Sequence, residues 1–288
     1  MSTTMALGVD AALLPELSGA AGRTVGVVHS VFTSVVNIAA GDQLWSLAGH
    51  RVPPGPRTVR LALDSLAGLG VRQGSEVTVR GSRLFAGEAV IDLSQAALWQ
   101  PADVAGPVVP RRLAALDAAL AELGVAGGAL AGADPFSAAV AARIADGLDL
   151  IADAVANHDV VALRAAASSV IGLGTGLTPA GDDVLTGLAF TAARLGGPLT
   201  AVPEAVSAVA LPGTTHAVSL TALRQACAGR AVQPLVDVLA AVCGQDPDER
   251  IPATVAALVA IGRTSGTDLA HGLLAAVRMH QSLQTTTK

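Results

Sequence analysis

A glycine-rich stretch that runs into two acids is the part of this sequence whose residue types and spacing suggest chemistry. It reads GLGTGLTPAGDD from Gly172 to Asp183. Its alternate glycines allow positive φ angles and a close approach of the backbone to a ligand, and a helix that starts after them points unpaired N–H groups the same way. This is typical of an anion cradle. The alternative is a purely structural connection between two helices.

The acidic pair at the end of this stretch adds a second chemistry. Thr178, Asp182 and Thr186 are spaced by four, so we expect them to share one helix face, with Asp183 rotated by about 100°. The helix dipole alone explains one carboxylate in a first turn. Two adjacent carboxylates could instead hold Mg²⁺ or accept hydrogen bonds from the N–H groups of an amide substrate. A phosphate would need a metal or an arginine between it and the pair.

Two later segments open predicted helices with polar side chains. One runs from Gly213 to Ser219 and the other from Gly262 to Asp268. The side chains that they bring are Thr215, His216 and Ser219 in the first segment and Arg263, Ser265 and Asp268 in the second. Helix capping explains either segment alone, and Asp268 is placed to pair with His271. Three polar helix openings in an otherwise apolar region could converge on a single pocket.

The elements that would position these residues change character near residue 105. Before it, β-branched stretches are separated by glycine and proline turns, which predicts a small β-rich domain over residues 1–105. A helical piece at Val59–Leu69 is an alternative within it. The predicted strands lie within Thr24–Ile38, Gln43–Leu47, Thr58–Leu63, Glu76–Arg80 and Glu88–Leu93.

After residue 105 the chain is rich in alanine and leucine, which predicts a larger, mostly α-helical domain over residues 106–288 that carries the glycine-rich loop at a helix N-terminus. The fold class is therefore α+β. We expect Asp134, Thr178 and Ser265 to supply N-cap oxygens. The predicted helices are Arg111–Leu123, Pro135–His158, Val160–Val170, Gly181–Leu195, Thr215–Ala228, Val232–Cys243, Pro252–Ile261 and Gly266–Met279.

Composition excludes several functions. Of the 288 residues, 51% are hydrophobic and 14% charged, so the chain folds. It has no tyrosine, and its only lysine is Lys288, so P-loop and Schiff-base lysine chemistry lack their residue. A net charge of −5 with six aromatic residues argues against nucleic acid as a partner. We expect no membrane span, no signal peptide and a cytoplasmic location, with Cys227 and Cys243 packed as small apolar residues.

The motif from Gly174 to Asp183 resembles the AllH-like family, whose members are subunits of oxamate carbamoyltransferase. The helix openings at Thr215–Ser219 and Gly262–Asp268 and the strand Val27–Phe32 share the resemblance, which covers most of the chain. It implies a role in anaerobic allantoin and purine catabolism, in which oxalurate and phosphate give oxamate and carbamoyl phosphate. It also implies that the chain works with two other subunits, and it assigns no catalytic residues.

The chemistry of carbamoyl transfer suggests a role for each candidate residue. Such a transfer needs an anion cradle, a carboxylate clamp and donors that polarise the carbamoyl oxygen. Asp182, Asp183 and His216 are the candidate catalytic residues, and the two aspartates are also the candidate Mg²⁺ ligands. The candidate binding residues, for a small substrate with a phosphate or carboxylate group, are Gly174, Thr175, Gly176, Thr178, Thr215, Ser219, Arg263 and Ser265.

Two alternatives remain open at this point. The chain could be a non-catalytic subunit that binds a ligand or supports assembly, or it could bind a small amide or carboxylate metabolite on its own.

Overall fold

The computed structural model describes residues 2–18, 22–104, 106–244 and 250–286 of the chain. It divides into two compact units, residues 1–101 and residues 102–288. The first unit is built from strands and the second from helices, so the predicted α+β class is confirmed.

The first unit is one sheet that closes on itself. Its described strands are β1 (Ser2–Asp10), β2 (Arg23–Val31), β3 (Val35–Ala40), β4 (Gln43–Gly49), β5 (Thr58–Leu61), β6 (Glu76–Arg80), β7 (Arg83–Ala86), β8 (Ala89–Asp92) and β9 (Ala97–Trp99). Their order is β5-β4-β3-β2-β6-β7-β8-β1-β9. The sheet closes because β1 pairs with β8 on one side and with β5 on the other. Alternate apolar side chains from these strands form the unit's core.

The structure refines two sequence-based expectations for this unit. The predicted β stretch Thr24–Ile38 contains two strands, β2 and β3, which pair antiparallel. The alternative helix at Val59–Leu69 is wrong, because Val59 is fully buried and pairs with both β1 and β4. Only Ala67–Leu69 forms a single 3₁₀ turn. The β-branched Thr58-Val59 pair outweighed the apolar periodicity that followed it.

The second unit consists, in its described residues, of nine α-helices. They are α1 (Pro110–Leu123), α2 (Pro135–Ala156), α3 (Val160–Val170), α4 (Ala180–Leu195), α5 (Ala201–Val209), α6 (Ala217–Cys227), α7 (Gln233–Cys243), α8 (Arg250–Val259) and α9 (Ser265–Thr286). Every predicted helix is present, whereas α5 was not predicted. No described helix is both long and apolar enough to cross a bilayer.

Helices α4 and α9 form the centre of this unit and touch backbone to backbone. A Cβ atom added to Gly187 would lie 2.0 Å from the carbonyl oxygen of Leu269, and one added to Gly272 would lie 1.9 Å from that of Val184. Residues of α4 from Ala180 to Ala192 are all buried. Because glycine removes the side chain at the crossing, the two helices run side by side from their first turns. This close packing brings their N-termini together.

Candidate functional site

The glycine-rich loop between α3 and α4 folds back onto the start of α4. Its glycines 172, 174 and 176 have φ angles of +74°, +113° and +89°. The N–H group of Gly181 donates to the carbonyl oxygen of Leu173 at 2.9 Å. A Cβ atom on Gly181 would lie 2.0 Å from the carbonyl oxygen of Val170, so the sequence needs glycine where α4 passes the end of α3. The N–H groups of residues 174–176 donate to no residue that the structure describes.

Asp182 ties three segments of the site together. The residue is fully buried, and its Oδ1 accepts from the N–H group of Gly172 at 2.7 Å. Its Oδ2 accepts from the hydroxyl of Thr215, which precedes α6. Asp182 therefore fixes the glycine-rich loop and the start of α6 against the first turn of α4, and both its oxygens have protein partners.

Asp183 lies between the starts of α4 and α9 and is incompletely satisfied. It is 6% exposed, and its Oδ2 is buried without a hydrogen-bond partner among the described residues. Burial raises the pKa of this carboxyl group well above its usual value, and the charges of Asp268 and Asp182 raise it further. Hydrogen bonds with Ser265 and Thr178 act in the opposite direction. Asp183 therefore holds a proton more readily than an ordinary aspartate.

Thr178 does not act as the N-cap of α4, and it does not share a face with Asp182. Pro179 is the N-cap and keeps Thr178 out of the helix. The Thr178 hydroxyl lies 3.1 Å from that of Ser265, so it joins the starts of α4 and α9. Thr186 donates to the carbonyl oxygen of Asp182 at 2.7 Å instead of meeting its carboxylate. The expected shared face was therefore wrong for Thr178, whereas Asp182 and Thr186 do lie one turn apart in α4.

The start of α6 packs against the same loop. Helix α6 begins at Ala217, after an N-cap at His216 whose side chain makes no capping bond. Ser219 is buried, and its hydroxyl donates to the carbonyl oxygen of Leu177 at 3.3 Å. The His216 side chain is exposed. Thr215 and Ser219 thus both bond to the loop region, while the imidazole lies at the edge of the site.

The start of α9 carries a second buried carboxylate. Ser265 was expected to be the N-cap of α9, but it is the first residue of the helix. Asp268 is fully buried, and its Oδ1 accepts from the N–H group of Ala129 at 2.6 Å, so the predicted pairing with His271 was wrong. Burial raises the pKa of Asp268 to about 6, against hydrogen bonds with Ala129 and Thr264 that lower it. Its Oδ2 has no hydrogen-bond partner among the described residues.

One wall of this region was missed by the sequence interpretation. The loop between α1 and α2 reaches the start of α9, where Val125 donates its N–H group to the hydroxyl of Thr267 at 2.9 Å. A Cβ atom on Gly128 would lie 2.3 Å from Oδ1 of Asp268. The consecutive glycines 127 and 128 were the available signal, but a glycine pair alone predicts only a turn.

The candidate residues therefore form one cluster with a donor side and an acceptor side. The donor side consists of the loop N–H groups, and the acceptor side consists of the unpartnered oxygens of Asp183 and Asp268. Arg263, at the turn before α9, lies next to Gly127 of the α1–α2 loop. Within the described residues, no group of three or more His, Cys, Asp or Glu side chains is placed to hold a metal ion. The two-carboxylate Mg²⁺ site stays a prediction.

Comparison with known proteins gives a family for the whole arrangement. No curated protein and no solved structure matches the chain. The family model described as oxamate carbamoyltransferase subunit AllH matches residues 170–277, which include the glycine-rich loop and the starts of α4, α6 and α9. The model of the AllH family N-terminal domain matches residues 5–98. Since the two models of one family cover both units, the chain belongs to the AllH family.

Proposed function

We propose that this protein is a subunit of an oxamate carbamoyltransferase-like enzyme that cleaves oxalurate with phosphate, giving oxamate and carbamoyl phosphate. We also propose that the chain contributes the cluster at the starts of α4, α6 and α9 to the reaction. The observation that carries the second part is the unpartnered, buried Oδ2 of Asp183 beside helix starts whose loop N–H groups lack acceptors.

The two sides of the cluster suit a substrate with one anionic end and one amide-rich end. Unpaired N–H groups at a helix start bind phosphate or carboxylate oxygens. The positive charge of Arg263 would offset the repulsion between such an anion and the buried acids. A buried carboxyl oxygen without a partner favours a ligand that donates an N–H group to it. Oxalurate carries a carboxylate at one end and a carbamoyl amide at the other.

The proposed reaction balances without a cofactor. A phosphate oxygen attacks the carbamoyl carbon, the C–O bond forms, and the bond from that carbon to the oxamate nitrogen breaks with its electron pair going to nitrogen. The proton lost by hydrogen phosphate ends on that nitrogen, so oxamate leaves as a carboxylate anion whose amide group is neutral. The loop N–H groups would stabilise negative charge that develops on the carbamoyl oxygen.

Asp183 is suited to move that proton. Burial raises its pKa, so the carboxyl group holds a proton more readily than an ordinary aspartate, as a general acid or base must. Thr178 and Ser265 orient the carboxyl group through their hydroxyls. His216, on the edge of the site, is the alternative proton carrier. Asp182 would act by holding the loop and Thr215 in place.

Reconstitution tests this function. The chain, mixed with its companion subunits, is expected to release oxamate from oxalurate only when phosphate is present. D183N should reduce turnover by about 100-fold or more, since one proton-transfer group contributes about 10²–10⁴ in rate. The matched control is D237N, because Asp237 is an exposed α7 carboxylate bonded to Gln233.

The same mixture decides between the catalytic subunit and the assembly subunit. If the complex turns over oxalurate equally well with D183N and with the unsubstituted chain, the chain is a non-catalytic partner. If the complete mixture shows no phosphate-dependent release of oxamate, the proposed reaction is wrong.

A further inference from the structure

The guanidinium of Arg263 has no ion-pair partner among the described residues. Its side chain is exposed at the turn before α9, and it makes no ion pair or hydrogen bond with any described residue. Its guanidinium lies against Gly127 of the α1–α2 loop, because a Cβ atom added there would be 3.1 Å from Nη2. Gly127 also has a φ of +118°, which a residue with a side chain rarely adopts.

The loop that supports Arg263 is fastened to the first turn of α9. Thr267 accepts from Val125 at 2.9 Å, and Asp268 accepts from Ala129 at 2.6 Å. Both acceptor residues are fully buried. Gly127 closes the loop on itself by donating its N–H group to the carbonyl oxygen of Leu130 at 2.8 Å. Two buried acceptors on one helical turn, Thr267 and Asp268, therefore hold this loop in place through hydrogen bonds.

The neighbourhood also contains buried groups that still lack a partner. Asp183 and Asp268 each keep one buried oxygen unbonded among the described residues, at the helix starts joined by Thr178 and Ser265. Arg263 neutralises neither of them through an ion pair. An unpaired cation beside unsatisfied buried acceptors fits a ligand that brings both an anionic group and N–H donors.

We propose that the α1–α2 loop, held by Thr267 and Asp268, is a positioning element that sets the guanidinium of Arg263 to bind the phosphate or carboxylate end of the substrate. The proposal rests on the proposed function for the class of ligand. Gly127 is a positioning residue, because the absence of a side chain lets the guanidinium lie against the loop backbone. Asp268 is then a positioning residue that acts through Ala129.

A double-mutant cycle on the full chain tests this. The affinities for inorganic phosphate and for oxamate are measured by calorimetry for the unsubstituted chain, R263Q, G127A and the double variant. We expect R263Q to lower the affinity for one of the two anions by about 10- to 100-fold, as is typical for loss of a charged hydrogen bond. G127A should weaken the same anion by about 5- to 20-fold. In the R263Q background G127A should have almost no further effect, because it acts through that side chain.

A glycine with similar backbone strain but no neighbour provides the control. Gly74 has a φ of +83° and no atom within 4 Å of an added Cβ, so G74A should leave both affinities unchanged. If G127A and R263Q are additive, or if the unsubstituted chain binds neither anion, the proposal is overturned.

The fastening residues are tested by hydrogen exchange at the Ala129 amide. D268N keeps an oxygen acceptor for Ala129 and should retain slow exchange, whereas D268A should speed exchange and lower the anion affinity by about 5- to 20-fold. Equal behaviour of D268A and D268N would contradict the positioning role. These readouts do not depend on turnover, so a complex that does not cleave oxalurate would refute the proposed function and leave this result to be judged separately.

Discussion

The two adjacent aspartates of α4 should respond to substitution in opposite ways. In D182A, the N–H group of Gly172 and the hydroxyl of Thr215 lose the carboxylate that accepts from them. Each hydrogen bond to a charged group contributes about 1.5–3 kcal/mol, so the free energy of unfolding should fall by about 3–6 kcal/mol. D182N retains one acceptor oxygen, so its free energy of unfolding should fall by less than that of D182A.

Asp183 should behave differently because one of its two buried carboxyl oxygens lacks a hydrogen-bond partner among the described residues. Replacing it with asparagine removes a buried group that lacks one hydrogen bond and faces two like charges. The free energy of unfolding should therefore stay the same or rise by about 1–3 kcal/mol at neutral pH. Ligand affinity and turnover should nevertheless be lost.

Urea denaturation followed by far-UV circular dichroism, with ligand binding measured on the same samples, checks this contrast. The helical unit dominates the signal, so its transition reports both substitutions. Loss of stability in D183N as large as that in D182A would refute the division of roles. So would a change below about 1 kcal/mol in D182A, since two partly buried donors would then have lost their acceptor without penalty.

Three further outcomes follow from the same geometry. G272A should lower the free energy of unfolding by about 1–3 kcal/mol and weaken anion binding, because its Cβ would lie 1.9 Å from the α4 backbone. Denaturation measures the first effect and calorimetry the second. The folded-state pKa of Asp268 is about 6 against an ordinary 3.8, so its contribution to stability is greatest below that interval and is lost as pH rises through it. The free energy of unfolding of D268N, measured by denaturation, should therefore change less with pH over this range than that of the unsubstituted chain. Burial raises the pKa of Cys227 and of Cys243 to about 11, so iodoacetamide at neutral pH should modify neither thiol until the chain unfolds.

The sequence was most informative where a local rule decides the structure. Asp134 before Pro135 predicted the start of α2, and its side chain accepts from Ser137 at 2.9 Å. The periodicity of alanine and leucine likewise located most helices. Helix α5 was missed because Pro203 and its β-branched neighbours lower the helical signal of Ala201–Val209, and packing against α3 and α4 supplies what propensity does not.

The geometry of the site depended on long-range contacts that spacing cannot give. Residue types identified Asp182 and Asp183 as a pair, but not that one would be saturated by Gly172 and Thr215 while the other kept a free oxygen. That difference comes from a loop and from a helix that starts more than thirty residues later. The α1–α2 loop reaches Asp268 from 139 residues away in the chain, and no local pattern indicates such a contact.

A crystal structure of the chain grown with phosphate and oxamate would show whether the starts of α4, α6 and α9 bind the substrate. We expect ligand density there, with an anionic group on Arg263 or the N–H groups of residues 174–176. We also expect an amide nitrogen within hydrogen-bonding distance of Asp183. Density at another surface, or a cluster that stays empty at ligand concentrations that support turnover in the reconstituted complex, would contradict this expectation.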